Sequence, residues 1–512
     1  ASSSADGRPS LGAVDVVLAI DAGTTGVRTL AVGADARPLA LAHREFPQHF
    51  PRPGWVEHDA DDILAAVLAT LAEVHRAVVD GGHTVAALGI TDQRETIVAW
   101  DRRTGRPRHR AIVWQDRRTA AECERLRTAG HEPFVRERTG LLLDPYFSAT
   151  KLGWLVTEGG VGIDDDLLVG TVDAWLVWHL TGGVDGGVHA TEPSNASRTL
   201  CYDLHTRDWS DELCALFGVP RAALPDLRPS SGRFGVTVPA CAAGLAVPLS
   251  GIAGDQQASL FGQACTEPGM TKNTYGTGSF VLMNVGDTPP PPADGVLTTV
   301  AWQLDDVVTY ALEGAVFVTG AALQWLRDGL GIIADAAEAG PLAASVPSTD
   351  GVVFVPALTG LGAPAWDPYA RGTIVGITRG TTRAHLVRAA VEAMAWQTRD
   401  VVDAMTAATG RAVTALRVDG GASAMDLLCA FQADVLGVEV RRSAVRETTA
   451  LGAAFLAGIA EGVWDGPAAL ATHWHDDGRF LPTADRSDVA RGLAQWRRAV
   501  ERSLAWADEA AD

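Results

Sequence analysis

Three times along this chain an apolar, strand-like run stops at a glycine-rich turn beside a carboxylate. Near the start, residues 14–20 show the pattern of a buried strand, Asp21-Ala22-Gly23-Thr24-Thr25-Gly26 follows, and residues 29–32 read as the hairpin partner. At the centre, the run into Gly254 delivers Asp255-Gln256-Gln257, and the next β-like run breaks at Tyr275-Gly276-Thr277-Gly278. Late in the chain, residues 416–418 end in Asp419-Gly420-Gly421. Glycines beside small hydroxyls let backbone N–H groups approach an anion closely. Any one such turn is unspecific: a lone Gly-Thr-Gly suits an ordinary hairpin, and a lone Asp after Gly suits a turn or helix cap. Three of them, early, central and late, suit a duplicated α/β nucleotide-binding fold. Each half would bring a hairpin to the phosphates, and the last turn would close over the nucleoside.

The pattern between these turns predicts further elements. A helix capped by Asp59 or Asp61 runs through Ile63, Val67, Leu71 and Val74. A buried strand over 85–90 delivers Asp92-Gln93-Arg94-Glu95 at its end, where α/β sheets place ligand groups. Residues 111–114 do the same for Gln115-Asp116, and a loop over 141–148 presents Tyr146 and Phe147. Residues 167–180 read as a strand and a Trp-rich helix, and 195–198 as a turn. Glycines and prolines punctuate 225–248, which predicts an exposed excursion. A hairpin over 272–285 opens the second half, a strand over 307–314 ends at Glu313-Gly314, and 317–330 reads as a helix. Helices follow over 384–407, 426–436 and 448–459, while the tail after Pro467 is weakly patterned. The expected division is a disordered tail over 1–13, an N-terminal domain over 14–263, a C-terminal domain over 264–470 and an extension over 471–512.

Composition narrows the function classes. A chain of 512 residues with 47% hydrophobic residues can bury two sizeable cores. Its formal net charge of −20 argues against nucleic acid or an anionic membrane as partner. Cys123, Cys201, Cys214, Cys241, Cys265 and Cys429 form no CxxC pair, which argues against zinc or a disulfide framework and fits the reducing cytoplasm. No apolar run reaches membrane-spanning length, and the polar start lacks the apolar stretch of a signal peptide.

Longer motifs sharpen this. They are Pro53-Gly54-Trp55-Val56-Glu57-His58, Gln93-Arg94-Glu95-Thr96, Trp114-Gln115, Asp144-Pro145-Tyr146-Phe147-Ser148, Gly254-Asp255-Gln256-Gln257, Asn273-Thr274-Tyr275-Gly276-Thr277-Gly278 and Gly360-Leu361-Gly362-Ala363-Pro364. In that order, over residues 16–464, the sequence strongly resembles the carbohydrate kinases with the FGGY signature, and among them the glycerol kinases. The resemblance implies an α/β fold of two ribonuclease H-like (actin/hexokinase-type) domains around a central cleft. It implies ATP-dependent phosphorylation of glycerol to sn-glycerol 3-phosphate with Mg²⁺, in the cytoplasm. The expected partners are glycerol and ATP/ADP, without nucleic acid or membrane insertion, in a homo-oligomer (dimer or tetramer).

The resemblance also assigns roles. Asp255 would be the general base. Arg94, Glu95, Tyr146, Asp255 and Gln256 match glycerol-contacting positions, with Trp114 and Phe280 as apolar walls. Thr24, Thr25 and Arg28 would hold the phosphates from one half and Thr277 from the other; Gly320, Gln324, Gly421 and Met425 would face the nucleoside. Asp21 would bind Mg²⁺, directly or through water. The chain departs from the family at Ala22, where Gln is common, at Gly26-Val27, where a hydroxyl is common, and at Met425, where Asn is common. The loop over 239–248 has Ala246 where family members inhibited by fructose 1,6-bisphosphate carry arginine, and it has no histidine to phosphorylate, so neither form of control is expected.

Overall fold

The computed structural model describes residues 15–507; Val14 and the tail expected over 1–13 lie outside the described residues. Among the described residues, one mixed sheet of thirteen strands runs through the molecule. In chain order its strands are β1 (Asp15–Ala22), β2 (Gly26–Gly33), β3 (Pro38–Glu45), β4 (Thr84–Asp92), β5 (Ser231–Val236), β6 (Pro248–Gly254), β7 (Thr271–Tyr275), β8 (Ser279–Gly286), β9 (Leu297–Leu304), β10 (Val307–Val316), β11 (Ala415–Asp419), β12 (Glu439–Ser443) and β13 (Asp476–Phe480). Their order in space is β13-β12-β11-β7-β8-β10-β9-β5-β6-β4-β1-β2-β3. The main helices are α1 (Ala60–Asp80), α2 (Asp255–Gly262), α3 (Gly320–Asp328), α4 (Arg383–Thr409), α5 (Asp426–Leu436), α6 (Thr448–Ala460) and α7 (Arg486–Ser503).

The first strand shows why these runs read as continuously apolar. Val16, Leu18 and Ile20 pack into a core with Ile63, Val67 and Leu71 of α1. Val17 and Ala19 point the other way, into a core with Ala453, Ala454 and Ala457 of α6. A strand covered on both faces has no solvent side to make polar. Contact with α2 is close enough to need glycine: a Cβ on Gly452 of α6 would lie 1.9 Å from the Ala258 carbonyl oxygen.

The duplication is visible in the pairing. The antiparallel hairpin β1–β2 has β4 parallel beside β1, and the hairpin β7–β8 has β11 parallel beside β7. Asp21 lies opposite Thr91, Gly254 opposite Asp92, and Thr274 opposite Asp419. The parallel strands β1, β4 and β6 therefore end at one edge, which brings Asp21, Arg94 and Asp255 to the same side of the sheet. The two halves meet where β5 pairs with β9 at Ser231 and Leu304.

Several expectations change. The excursion expected over 225–248 contains β5, a strand of the main sheet, and buries Phe234, Ala242 and Leu245. The turn expected over 195–198 follows directly from a buried helical turn, Pro193–Ala196, whose N-cap Glu192 accepts from the Ser194 and Asn195 amides. Phe147 is core and not presented by its loop, packing with Leu152 and Leu155. The weakly patterned tail supplies β13 and the helix α7, which buries Val489, Trp496 and Ala499. Only that one stripe of α7 is apolar. The helix expected over 317–330 begins three residues later, at Gly320.

Candidate active site

Arg94 stands at the centre of the site, just past the end of β4, and it is almost wholly buried. Its guanidinium bonds Glu313 of β10 with both terminal nitrogens, one of them over 3.2 Å. It donates to Gln257 Oε1 over 3.2 Å and to Tyr146 Oη over 3.3 Å, and its Nε lies 3.2 Å from an Asp255 carboxylate oxygen. Glu95, next in the chain, is not its main partner: their charged atoms are 3.9 Å apart. Glu95 has φ +60, a left-handed backbone conformation. It accepts instead from Arg198 Nε over 2.7 Å, and Arg198 Nη2 donates to Glu313 over 2.8 Å. The result is a closed buried ring, Arg94–Glu313–Arg198–Glu95. Burial works to raise Glu313, but Arg198 and Arg94 outweigh it and hold that carboxyl below its ordinary value. For Glu95 burial wins over the same two arginines and the carboxyl is raised.

Around Arg94 the expected substrate residues converge. Trp114 and Tyr146 meet edge to face with ring centres 5.6 Å apart, and the guanidinium carbon lies 5.9 Å from the centre of the Phe280 ring. Asp255 opens α2, retains about 30% side-chain exposure and accepts from the Gln256 amide over 2.7 Å. Burial raises its carboxyl above the ordinary value, with Arg94 and Lys272 opposing. Gln256 Oε1 accepts from Lys272 Nζ over 2.6 Å.

The first glycine turn lies alongside. Thr24 Oγ1 accepts from the Trp114 indole over 2.9 Å, which leaves the hydroxyl proton free to donate. Gln93 Nε2 steadies the turn through the Gly23 carbonyl at 3.0 Å. Thr25 and Arg28 are exposed. Arg28 lies 3.8 Å from Asp21, whose carboxyl is raised to about 6 by burial against the pull of Arg28, with Asp255 and Glu447 adding to the rise. No side chain fits at position 26 as the turn stands, since a Cβ there would be 2.7 Å from the Arg44 carbonyl oxygen. Ala22 is buried, so neither departure places a group towards the turn.

In the second half, Thr277, Gly320, Gln324, Gly421 and Met425 all line one open cavity of about 740 Å³. The Gly276–Gly278 turn is tied to the start of α3 by bonds from the Gly320 and Ala321 amides to the Gly276 and Thr277 carbonyls, each 3.0 Å. Arg327, Ala337, Gly340 and Pro341 complete the wall.

Thus the residues expected to contact the substrate lie around Arg94, and those expected at the nucleoside line one cavity. Sequence reasoning missed Arg198, Glu313, Lys272 and Glu447. Glu313 had a signal, as the one charge in the run from Val307 to Val316. Lys272, likewise, is the one charge in the run from Thr271 to Tyr275. Arg198 and Glu447 had none.

Comparison with known proteins identifies the family. Residues 16–262 match the FGGY family of carbohydrate kinases, N-terminal domain, and residues 271–461 the C-terminal domain. The glycerol kinase of Trichlorobacter lovleyi is 53% identical over 495 residues, 96% of this chain and 99% of that protein. Glycerol kinase 2 of Thermotoga maritima is 50% identical over 498 residues, again 96% and 99%. The crystal structure of Plasmodium falciparum glycerol kinase with ADP matches with a TM-score of 0.90 at 32% identity, covering 96% of this chain and 99% of that one. With both family domains present in order and relatives aligned along nearly its whole length, this chain belongs to the FGGY family of carbohydrate kinases.

Proposed function

We propose that this protein transfers the γ-phosphoryl group of ATP to glycerol, giving sn-glycerol 3-phosphate and ADP. The observation that carries the reading is Asp255, partly open to solvent and 3.2 Å from Arg94, in a pocket walled by Trp114, Tyr146 and Phe280. A small triol needs several polar groups converging against apolar walls. Asp255 accepts the proton of the attacking hydroxyl, whose oxygen bonds to the γ-phosphorus as the bond to the ADP oxygen breaks. Arg94 and Glu95 keep donor and acceptor positions fixed because the buried ring restrains both. Thr24, Thr25, Arg28 and Thr277 hold the phosphates, and the cavity at Gly320, Gln324, Gly421 and Met425 takes the nucleoside.

Asp21 fits the role of Mg²⁺ ligand, since its carboxylate feels the like charges of Asp255 and Glu447. A carboxylate oxygen that feels two further negative charges suits a hard divalent cation, which would offset them. Mg²⁺ bound there with ATP would offset charge on the phosphates. We further propose that the two domains divide between residues 263 and 264, that the protein acts in the cytoplasm, where its six free cysteines stay reduced, and that it self-associates as a dimer or tetramer. The open edge strand β3, with Leu39 and Leu41 exposed, supports self-association. Among the described residues no helix is long and apolar enough to cross a membrane.

An ADP-release assay across glycerol, dihydroxyacetone, erythritol and xylulose tests the function. Glycerol is expected to give the highest kcat/KM; a higher value for xylulose would overturn the substrate while keeping the chemistry.

A further inference from the structure

We propose that Lys272 is a positioning residue for phosphoryl transfer: it locks the Gln256 carboxamide with its N–H donors towards the substrate and supplies a fixed positive charge beside Asp255. This rests on the reading of the pocket as a polyol site. Lys272 lies on β7, fully buried, and its Nζ donates to Gln256 Oε1 over 2.6 Å and to Thr274 Oγ1 over 2.9 Å. An ammonium has only donors. The amide oxygen must therefore face Lys272, and the amide nitrogen must face away from it. Among the described residues the Gln256 side-chain nitrogen donates to no protein group, so it is free to donate to a substrate hydroxyl oxygen. Asp255, next in the chain, is an acceptor only. The pair then reads a hydroxyl from both sides, with Asp255 taking the proton and Gln256 supporting the oxygen.

The charge matters as well as the geometry. Three carboxylates, Glu95, Glu313 and Asp255, crowd the pocket, and three cations, Arg94, Arg198 and Lys272, answer them. Lys272 faces Asp419 of β11, Asp255 of α2, Arg94 after β4 and Glu313 of β10, and the Cys265 thiol after α2 also feels its charge. Burial lowers the ammonium to about 8, against the pull of Asp419 and Asp255. Above that pH the amine is neutral and can accept as well as donate, so it no longer dictates which way the amide points. Its help in keeping Asp255 ionised is lost at the same time.

The test is the pH profile of kcat/KM from pH 5 to 10 for the full chain, Lys272→Met and Lys272→Arg, with saturating Mg-ATP. The polyol used is whichever the unsubstituted protein turns over best, so a failure of glycerol is read separately, from the substrate panel. The unsubstituted protein should lose kcat/KM above about pH 8. Lys272→Met should raise KM for the polyol about tenfold, as expected for losing a charge-assisted hydrogen bond. It should also abolish the alkaline limb and move the acid limb of Asp255 to higher pH. Lys272→Arg keeps charge and donors, and should keep most of the affinity while its alkaline limb moves beyond that of lysine. A purely structural lysine would leave both limbs in place. If Lys272→Met does not fold, Lys272→Arg decides alone: an alkaline limb unmoved by arginine overturns the proposal. Unchanged KM and unchanged limbs in Lys272→Met overturn it equally.

Discussion

The indole nitrogen of Trp114 donates to Thr24 Oγ1 over 2.9 Å. One side chain therefore joins the wall of the proposed substrate pocket to the first glycine turn. Its ring meets Tyr146, and its N–H holds the Thr24 hydroxyl that we propose faces the nucleotide. Trp114→Phe keeps the wall and removes the tie. Loss of one hydrogen bond, about 1 kcal/mol, corresponds to a rise in KM for ATP of about fivefold. KM for glycerol should stay within about twofold. Steady-state kinetics in both substrates checks this, and a change confined to glycerol would mean that the bond does not serve the phosphate turn.

Asp255→Asn keeps the shape and a hydrogen-bonding group but cannot take a proton. We expect kcat to fall by ~10²–10⁴-fold, with glycerol still binding by calorimetry. Near-normal kcat in the purified variant would remove Asp255 from the role of base.

Arg198→Met leaves Glu95 and Glu313 buried with Arg94 as their one remaining guanidinium. Breaking a buried ion pair by removing one partner costs about 3–5 kcal/mol. Urea unfolding at pH 7.5 should show a loss of that size. Arg198→Lys should recover only part of it, because one ammonium does not reproduce the fork that spans both carboxylates. A loss under about 1 kcal/mol for Arg198→Met would show that the ring is not what steadies the pocket.

Met425 lines the cavity proposed for the nucleoside, and its thioether would offer the base no strong hydrogen bond. Met425→Asn should sharpen the preference for ATP over GTP by about fivefold, the effect of one added hydrogen bond. An unchanged ratio of kcat/KM values would mean that position 425 does not meet the base.

His179 packs against Trp175 with ring centres 3.9 Å apart, and its buried Nε2 has no hydrogen-bond partner among the described residues. Burial lowers it from 6.5 to about 4. Protons therefore bind the unfolded chain more readily between those values. Its contribution to stability is complete above pH 6.5 and is lost as pH falls towards 4. His179→Phe removes that titration. Between pH 7.5 and pH 5 the variant should lose about 2 kcal/mol less unfolding free energy than the unsubstituted protein, by urea titration. Parallel losses would show that His179 does not titrate as a buried group.

Much of this protein is legible in its sequence, and the reason is locality. The run into Asp21, the glycines around Thr277 and the helix Asp426–Leu436 are each specified by neighbouring residues, through side-chain periodicity and the conformational freedom of glycine. The grouping of Asp255 with Arg94 came from the resemblance alone; the structure supplies its reason, since both follow buried strands of one parallel set. The partners of the charges were not. Arg94 and Glu95 are adjacent and of opposite sign, yet their charged atoms are 3.9 Å apart and each bonds more closely to a distant residue. Their partners, Glu313 and Arg198, stand 219 and 103 positions away. The same holds for Lys272, whose bond to Gln256 depends on packing β7 beside α2. A run of residues can set its own backbone and its apolar face. Which buried charge answers which other is decided only when the sheet closes, because desolvation forces each charge to find a partner among whatever groups the fold has brought within reach.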